Sequence, residues 1–222
     1  MRTGGTLVAI DDSALALCDP EHGLSQVRER RAVLGELDPY LEAADREAAS
    51  RNIVIDVAKV YGDPPAEGDA PAKEADTKPD AAKGGGSKEE LQRKDSFERR
   101  FAPGGAVLRA EADPDAWITV GVNPELPVLY AGSQVLYAKP PVRTAIRLSR
   151  ADELRLSGLV WPEARERLAR GAFLTVERMG RGQVILFASQ PNFRGFWLGN
   201  ARLLANAIVF GPGLGADPLR RP

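Results

Sequence analysis

The sequence predicts an α/β domain with a mixed or mostly parallel sheet and flanking helices, and three stretches carry that reading. GQVILFA, residues 182–188, has an unbroken apolar centre from Val184 to Phe187, as expected of a strand covered on both faces. TLVAI, residues 6–10, is a short apolar strand entered from Gly4-Gly5 and followed at once by Asp11-Asp12. Residues 194–210 place Trp197, Ala201, Leu204 and Ile208 at i, i+4, i+7 and i+11, one apolar stripe of a helix suited to cover that sheet.

The remaining elements follow in order. After TLVAI, Asp12-Ser13 can cap a short helix over 14–18, which Asp19-Pro20 ends. Residues 34–50 are rich in Ala, Glu and Leu and read as a helix, with Asp38-Pro39 as its start signal. NIVIDVAKV, residues 52–60, reads as a strand. From 62 to 90 there is no Val, Ile, Leu, Met, Phe, Trp or Tyr, so the stretch cannot bury enough apolar surface to offset chain entropy. It is expected to be a disordered, mixed-charge insertion, with a docking arm as the functional alternative. Residues 88–101 become helical again, with Leu91, Phe97 and Phe101 able to reach a core.

Strands are then expected at 105–111, 127–132, 133–138 and 142–148, separated by Gly and Pro. Trp161-Pro162-Glu163 opens a helix with Pro at its first position, and Gly171 closes it. AFLTVER and GQVILFA flank residues 179–182, Met-Gly-Arg-Gly, a hairpin signal. Gly211-Pro212-Gly213 stops the last helix. The resulting division is 1–61 and 91–213 as two parts of one domain, 62–90 as an insertion, and 214–222 as a flexible tail. A Gly-Gly before a buried strand usually follows a helix. No such helix precedes Gly4, so the sequence is read as beginning inside a larger domain.

Composition removes several functions. Lys and Arg number 30 against 31 Asp and Glu, a net charge of -1, which gives no basic bias for nucleic acid. One cysteine excludes an internal disulfide framework, and one histidine excludes a zinc centre built on a pair of His ligands. No apolar run reaches eighteen residues, and the apolar run at the start, residues 7–10, is too short for a signal-peptide core. No cofactor, nucleic acid or membrane partner is expected of the chain.

Few residues invite chemistry. Cys18 and His22 lie four apart, but a nucleophilic cysteine needs a depressed pKa and a positioned base. Cys18 ends the apolar run ALALC, and Asp19-Pro20 breaks any helix that would align the pair, so a small buried hydrophobe and a loop histidine are the commoner reading. Asp11 and Asp12 follow a strand end, where open α/β sheets place functional groups. They could hold a metal or act as acid and base, or simply cap the next helix, which is the commoner role. Gly180-Arg181-Gly182 lacks the GxxxxGK[ST] pattern and sits between strands, so it is not a phosphate loop. Ser189 to Arg194 leaves a buried strand and enters a helix, whose start could hold an anion or carboxylate with help from Asn192 and Arg194. Phe193, Phe196 and Trp197 are expected to pack under the sheet rather than form a ligand platform. The candidate ligand or anion site is therefore Asp11, Asp12, Asn192 and Arg194, with no catalytic or metal-binding residue assigned.

The run LSGLVWPEARERLARGAFLTVERMGRGQVILFASQPNFRGFWLGNARLLANAIVFGP resembles the carboxy-terminal region of large bacterial zinc carboxypeptidases of the carboxypeptidase A-like family. There a class I glutamine amidotransferase-like domain, flavodoxin-like in fold, follows the peptidase domain. GGTLVAIDDSALAL and FAPGGAVLRAEADPDAWITVGV are similar to other parts of that domain. The resemblance implies the same fold, an N-terminally incomplete copy of it, and a periplasmic or extracellular setting for the parent protein. It transfers no catalytic site. The family's peptidase domain holds zinc with an HxxE pair and a distant His, whereas this chain has only His22. Active amidotransferases carry Cys in a glycine-flanked elbow and a His-x-Glu after a late strand. The glycine-flanked Cys elbow is absent here, either lost or expected upstream of Met1, and Ser189-Gln190-Pro191-Asn192 stands at the late position.

Three functions are thus in play. The first is a non-catalytic accessory domain, or a fragment of one, from a zinc-carboxypeptidase-like secreted peptidase, with that protein's upstream peptidase domain as its partner. Its role would be to support folding, docking or substrate presentation. The second is a stand-alone module binding a glycan, peptide or protein. The third is a hydrolase or amidotransferase working through Asp11, Asp12 or Cys18.

Overall fold

A computed structural model describes residues 3–21, 23–51, 103–195 and 197–216. The strand expected at 52–60, the insertion at 62–90 and the helix expected at 88–101 all lie outside them. The described residues form a mixed α/β domain with one nine-stranded sheet and flanking helices. The strands are β1 (Thr6–Ile10), β2 (Arg28–Glu29), β3 (Gly104–Ala112), β4 (Glu125–Ala131), β5 (Leu136–Tyr137), β6 (Arg143–Leu148), β7 (Arg155–Ser157), β8 (Ala172–Met179) and β9 (Gly182–Phe187). The α-helices are α1 (Asp12–Leu17), α2 (Asp38–Arg51), α3 (Pro162–Leu168) and α4 (Leu198–Val209).

The main sheet path is β1-β9-β8-β6-β3-β4. Off that path, β5 bridges β8 to β2, and β7 pairs with β3 beside β6. Only β1 and β9 are parallel, in register from Thr6 opposite Gln183 to Ile10 opposite Phe187. Every other described pairing is antiparallel, so the sheet is mixed and not mostly parallel. Part of the cause is local: β8 and β9 are joined by a two-residue turn, which makes them antiparallel, since parallel neighbours need a longer crossover. Gly180, at φ 60, opens the two-residue turn between Met179 and Gly182, the left-handed start that a II′ hairpin requires.

The β8–β9 hairpin is the centre of the core. Every residue of β9 is buried, and Val184, Ile185, Leu186 and Phe187 have no solvent exposure at all. Their burial contributes on the order of 6–12 kcal/mol before chain entropy is set against it. Most polar groups that enter this core have partners, the buried Thr175 hydroxyl on β8 being an exception among the described residues. Glu177 on β8 is buried and accepts from the Ser25 hydroxyl at 2.6 Å and the Gln26 amide at 2.9 Å, which pins the loop after α1 to the sheet. Arg147 on β6 donates to Glu47 at 2.6 Å, Thr144 at 3.0 Å and the Arg170 carbonyl at 2.8 Å, and this clamps α2 in place.

Several elements differ from the sequence reading. The strand expected at 133–138 is reduced to Leu136–Tyr137, because residues 132–135 cross from β4 towards β8 instead of pairing. Asp11, not Asp12 or Ser13, stands at the N-cap of α1, and no side chain caps that helix. Residues 214–216 do not begin a free tail, since the Leu214 carbonyl accepts from Gln183 at 3.1 Å and Ala216 is buried.

The last helix shows the largest shift. It starts at Leu198, after a separate 3-10 turn over Phe193–Gly195, because Arg194 and Gly195 both take left-handed φ values, 52° and 67°. Its buried face is Asn200, Leu203, Asn206 and Ala207, so the expected stripe of Trp197, Ala201, Leu204 and Ile208 is set one position off. Ile208 is 61% exposed and Leu204 is only half-buried. The asparagines belong inside because Asn200 donates to the Pro127 carbonyl at 2.9 Å, and Asn206 to those of Ile118 and Val120 at 2.8 and 2.9 Å. Gly211 then ends the helix where a Cβ would collide with the Ala207 carbonyl and press on Thr6 of β1.

Leu203→Ala is expected to cost about 2–5 kcal/mol in urea unfolding, the range for a buried leucine, and Leu204→Ala clearly less. Ile208→Ala should stay within about 0.5 kcal/mol of the parent chain. Equal losses at 203 and 204 would contradict the helix face described here.

Candidate functional site

The two loops singled out in the sequence leave the same end of the sheet, because β1 and β9 are parallel and in register. Asp11 follows Ile10 and donates its amide to the Phe187 carbonyl at 2.9 Å. Its carbonyl accepts from Ala14 and Leu15 at 2.9 and 3.1 Å, the first bonds of α1. Between these anchors the backbone at Asp11 is forced to φ 57, ψ -126. That conformation is rare for a residue with a side chain and costs on the order of 1–3 kcal/mol. Such a strand-to-helix turn lifts its side chain clear of the sheet. The turn itself is therefore present, with a carboxylate on it.

Three residues surround the turn. The Asp12 carboxylate, exposed at the start of α1, accepts from Gln134 Nε2 at 3.3 Å. Tyr130 on β4 is fully buried and donates its hydroxyl to the Gln134 carbonyl. Burial pushes the Tyr130 phenol well above its ordinary value, and the nearby Asp11 charge pushes the same way. Arg167 of α3, also buried, donates to the Ser133 carbonyl at 3.0 Å. These contacts fix the 132–135 crossing beside Asp11. Burial, and then the neighbouring Asp12 charge, raise the Asp11 carboxyl above the ordinary carboxylate range. Neither Tyr130 nor Arg167 was singled out in the sequence. A buried polar residue at a strand or helix position carries no local signal, and only the long-range fold brings Tyr130 near Asp11 and Arg167 onto the 132–135 crossing.

The second loop does not complete a site. Ser189 and Pro191 are buried, but Asn192, Phe193 and Arg194 are exposed. The Arg194 guanidinium lies over the Phe193 ring, 5.1 Å from its centroid. The helix that was to supply an anion-binding start begins four residues beyond Arg194, so Asn192 and Arg194 do not sit at a helix N-terminus. No hydrogen bond or ion pair among the described residues joins them to Asp11 or Asp12. Phe193 does not pack under the sheet, Trp197 is half-buried, and Phe196 lies outside the described residues.

Cys18 is the C-cap of α1, at the far end of the helix from the turn, and is 2% exposed. Burial, the largest cause, pushes its thiol up to about 12. His22 lies outside the described residues. Among the described residues no three His, Cys, Asp or Glu side chains cluster in a way that could hold a metal ion, and no helix is long and apolar enough to cross a membrane.

A separate cavity of about 420 Å³ opens between β4 and the start of α4. Val122, Leu126 and Pro127 line one side, and Trp197, Leu198 and Arg202 the other. Sequence reasoning missed it because its walls come from segments some 75 residues apart, each ordinary by itself.

Comparison with known proteins finds no matching family model, no similar curated protein and no solved structure of matching fold.

The raised Asp11 carboxyl fixes the sign of a pH effect. A folded-state pKa above the unfolded one means that ionising Asp11 disfavours the fold at neutral pH. That cost disappears as the group protonates between its raised folded value and its ordinary value of 3.8. Asp11→Asn should therefore gain stability over the parent chain at pH 7 and lose that advantage on acidification through this window. Thermal melts of both chains from pH 7 to about 3.5 provide the check. A difference that does not change with pH would remove the charge from the account.

Proposed function

We propose that this chain is a non-catalytic, class I amidotransferase-like accessory domain, flavodoxin-like in design, of a zinc-carboxypeptidase-like protein. The observation that carries this reading is the turn at Asp11. A strand, a left-handed residue and a helix follow one another there as in a nucleophile elbow, yet the side chain offered is a carboxylate. The single cysteine is buried at the other end of α1, with its thiol held protonated. After β9, where the resembling amidotransferases place histidine, stands the buried Ser189. The strand–turn–helix backbone at Asp11 supports this reading, with neither a thiol nor flanking glycines at the turn.

Without a thiolate, acyl transfer from glutamine has no attacking atom in this chain. Of the third reading, a hydrolase or amidotransferase working through Asp11, Asp12 or Cys18, the Cys18 branch is disfavoured by the burial of that residue. The second, a binding module, is favoured by one specific observation, the cavity between β4 and α4. The accessory reading remains the conclusion, and its partner is the peptidase domain of the parent protein.

Two measurements test it. Cys18 should resist a thiol reagent at pH 8 in the native chain and react fully only in denaturant, and no ammonia should be released from glutamine. Turnover of glutamine that Cys18→Ala abolishes would refute the non-catalytic reading. Mixed with the zinc peptidase domain of a carboxypeptidase-like protein from the same organism, the chain should co-elute in size exclusion, with a Kd on the order of micromolar or tighter, as a specific interface would give. Separate elution at high concentration would remove the accessory role.

A further inference from the structure

We propose that the cavity between β4 and α4 binds a carboxylate carried on a compact apolar group, the chemistry of a peptide C-terminus that ends in an aliphatic or aromatic residue. The volume, about 420 Å³, lies in the range of small-ligand sites and admits one large side chain with its backbone. Val122, Leu126 and Pro127 face Trp197 and Leu198 across it, so its walls are mainly apolar. Leu198, one of the lining residues, is 79% exposed and carries the apolar surface out to the solvent.

The charge in this cavity has one sign left over. Glu125 at the edge is paired with Arg109 at 3.2 Å. Arg202, one turn into α4, makes no ion pair among the described residues. Its guanidinium is not loose: it rests against Gly121, and a Cβ there would sit 3.2 Å from Nη2. A glycine at 121 thus makes the space in which the cation is parked at the cavity wall. Asn200 is 2% exposed and donates to the Pro127 carbonyl at 2.9 Å, which fixes the two walls relative to each other. The first turn of α4, with no side-chain cap, adds positive potential of the same sign. A phosphate would find one cation and a mainly apolar wall. A carboxylate with an apolar side chain satisfies both parts, and Arg can hold it through two parallel N–H bonds.

This inference stands apart from the accessory-domain reading. It is tested on the full chain with N-acetyl-leucine, the tripeptide Ala-Ala-Leu, and the amidated form of each, followed by amide NMR shifts. Both free acids should bind saturably, with shifts centred on residues 121–127 and 197–202. The amides should bind about 10- to 100-fold more weakly, the effect of removing one charged hydrogen-bond partner. Arg202→Gln, a change at an exposed position, should bring the acids down to the level of the amides while leaving the amides unaffected. Leu198→Ser, also exposed, should weaken all four. The proposal is overturned by no saturable binding at about 10 mM, by equal affinity for acid and amide, or by an acid affinity indifferent to Arg202→Gln. Binding of N-acetyl-leucine without the tripeptide would also overturn it, since the site would then exclude a peptide.

Discussion

Because β9 runs through the sheet with both faces covered, neither its neighbours nor the helices around it can move independently. Val184 to Phe187 contact no water, so a displacement on either side would open a void against close-packed side chains. Among the described strands β9 is also the one with a parallel neighbour, β1, on one side and a hairpin partner, β8, on the other. Gln183, at its start, converts that position into a tie between distant segments. It donates to Thr6 of β1 and to the carbonyls of Gly211 and Leu214, just past α4. Its Nε2 thereby holds these segments together, while its buried Oε1 accepts no hydrogen bond among the described residues.

The turn at Asp11 is a consequence of the same constraint. The register of β1 against β9 fixes the Asp11 amide on the Phe187 carbonyl, and the first bonds of α1 fix its carbonyl. The chain must change direction within one residue, and the left-handed backbone is what remains. An aspartate at such a turn is presented outward, beside a buried tyrosine and a buried arginine that hold the neighbouring crossing. The geometry serves to display a side chain. The same strand-to-helix framework also closes the core, since the Asp11 amide is spent on the Phe187 carbonyl of β9.

Much of this architecture could be read from the residues. Gly180 between two apolar runs announced the β8–β9 hairpin, and the unbroken Val184–Phe187 run announced burial on both faces. Pro162 marked the start of α3. What could not be read depended on partners far along the chain. Hydrophobic periodicity assigned α4 the wrong face because two of its inward positions are asparagines, whose fitness for the core comes from carbonyls at 118, 120 and 127. The parallel character of the sheet was overestimated because a covered strand looks the same in sequence whichever way its neighbours run. The strained turn was invisible for a related reason. Glycine usually signals a left-handed residue, and here aspartate holds the position while Gly4 and Gly5 lie earlier.

Helix α4 joins the two ends of the sheet path and so couples regions that the sequence keeps apart. Its first turn is fastened to β4 through Asn200 and Pro127, where it forms one wall of the cavity. Its last turn abuts Thr6 at the start of β1 through Gly211, and Gln183 holds that junction. The helix is three turns long and is anchored by buried side chains along one face, so it behaves as a rigid strut. Helix α4 thereby ties the cavity wall at β4 to the start of β1, whose register against β9 fixes the Asp11 turn at its other end.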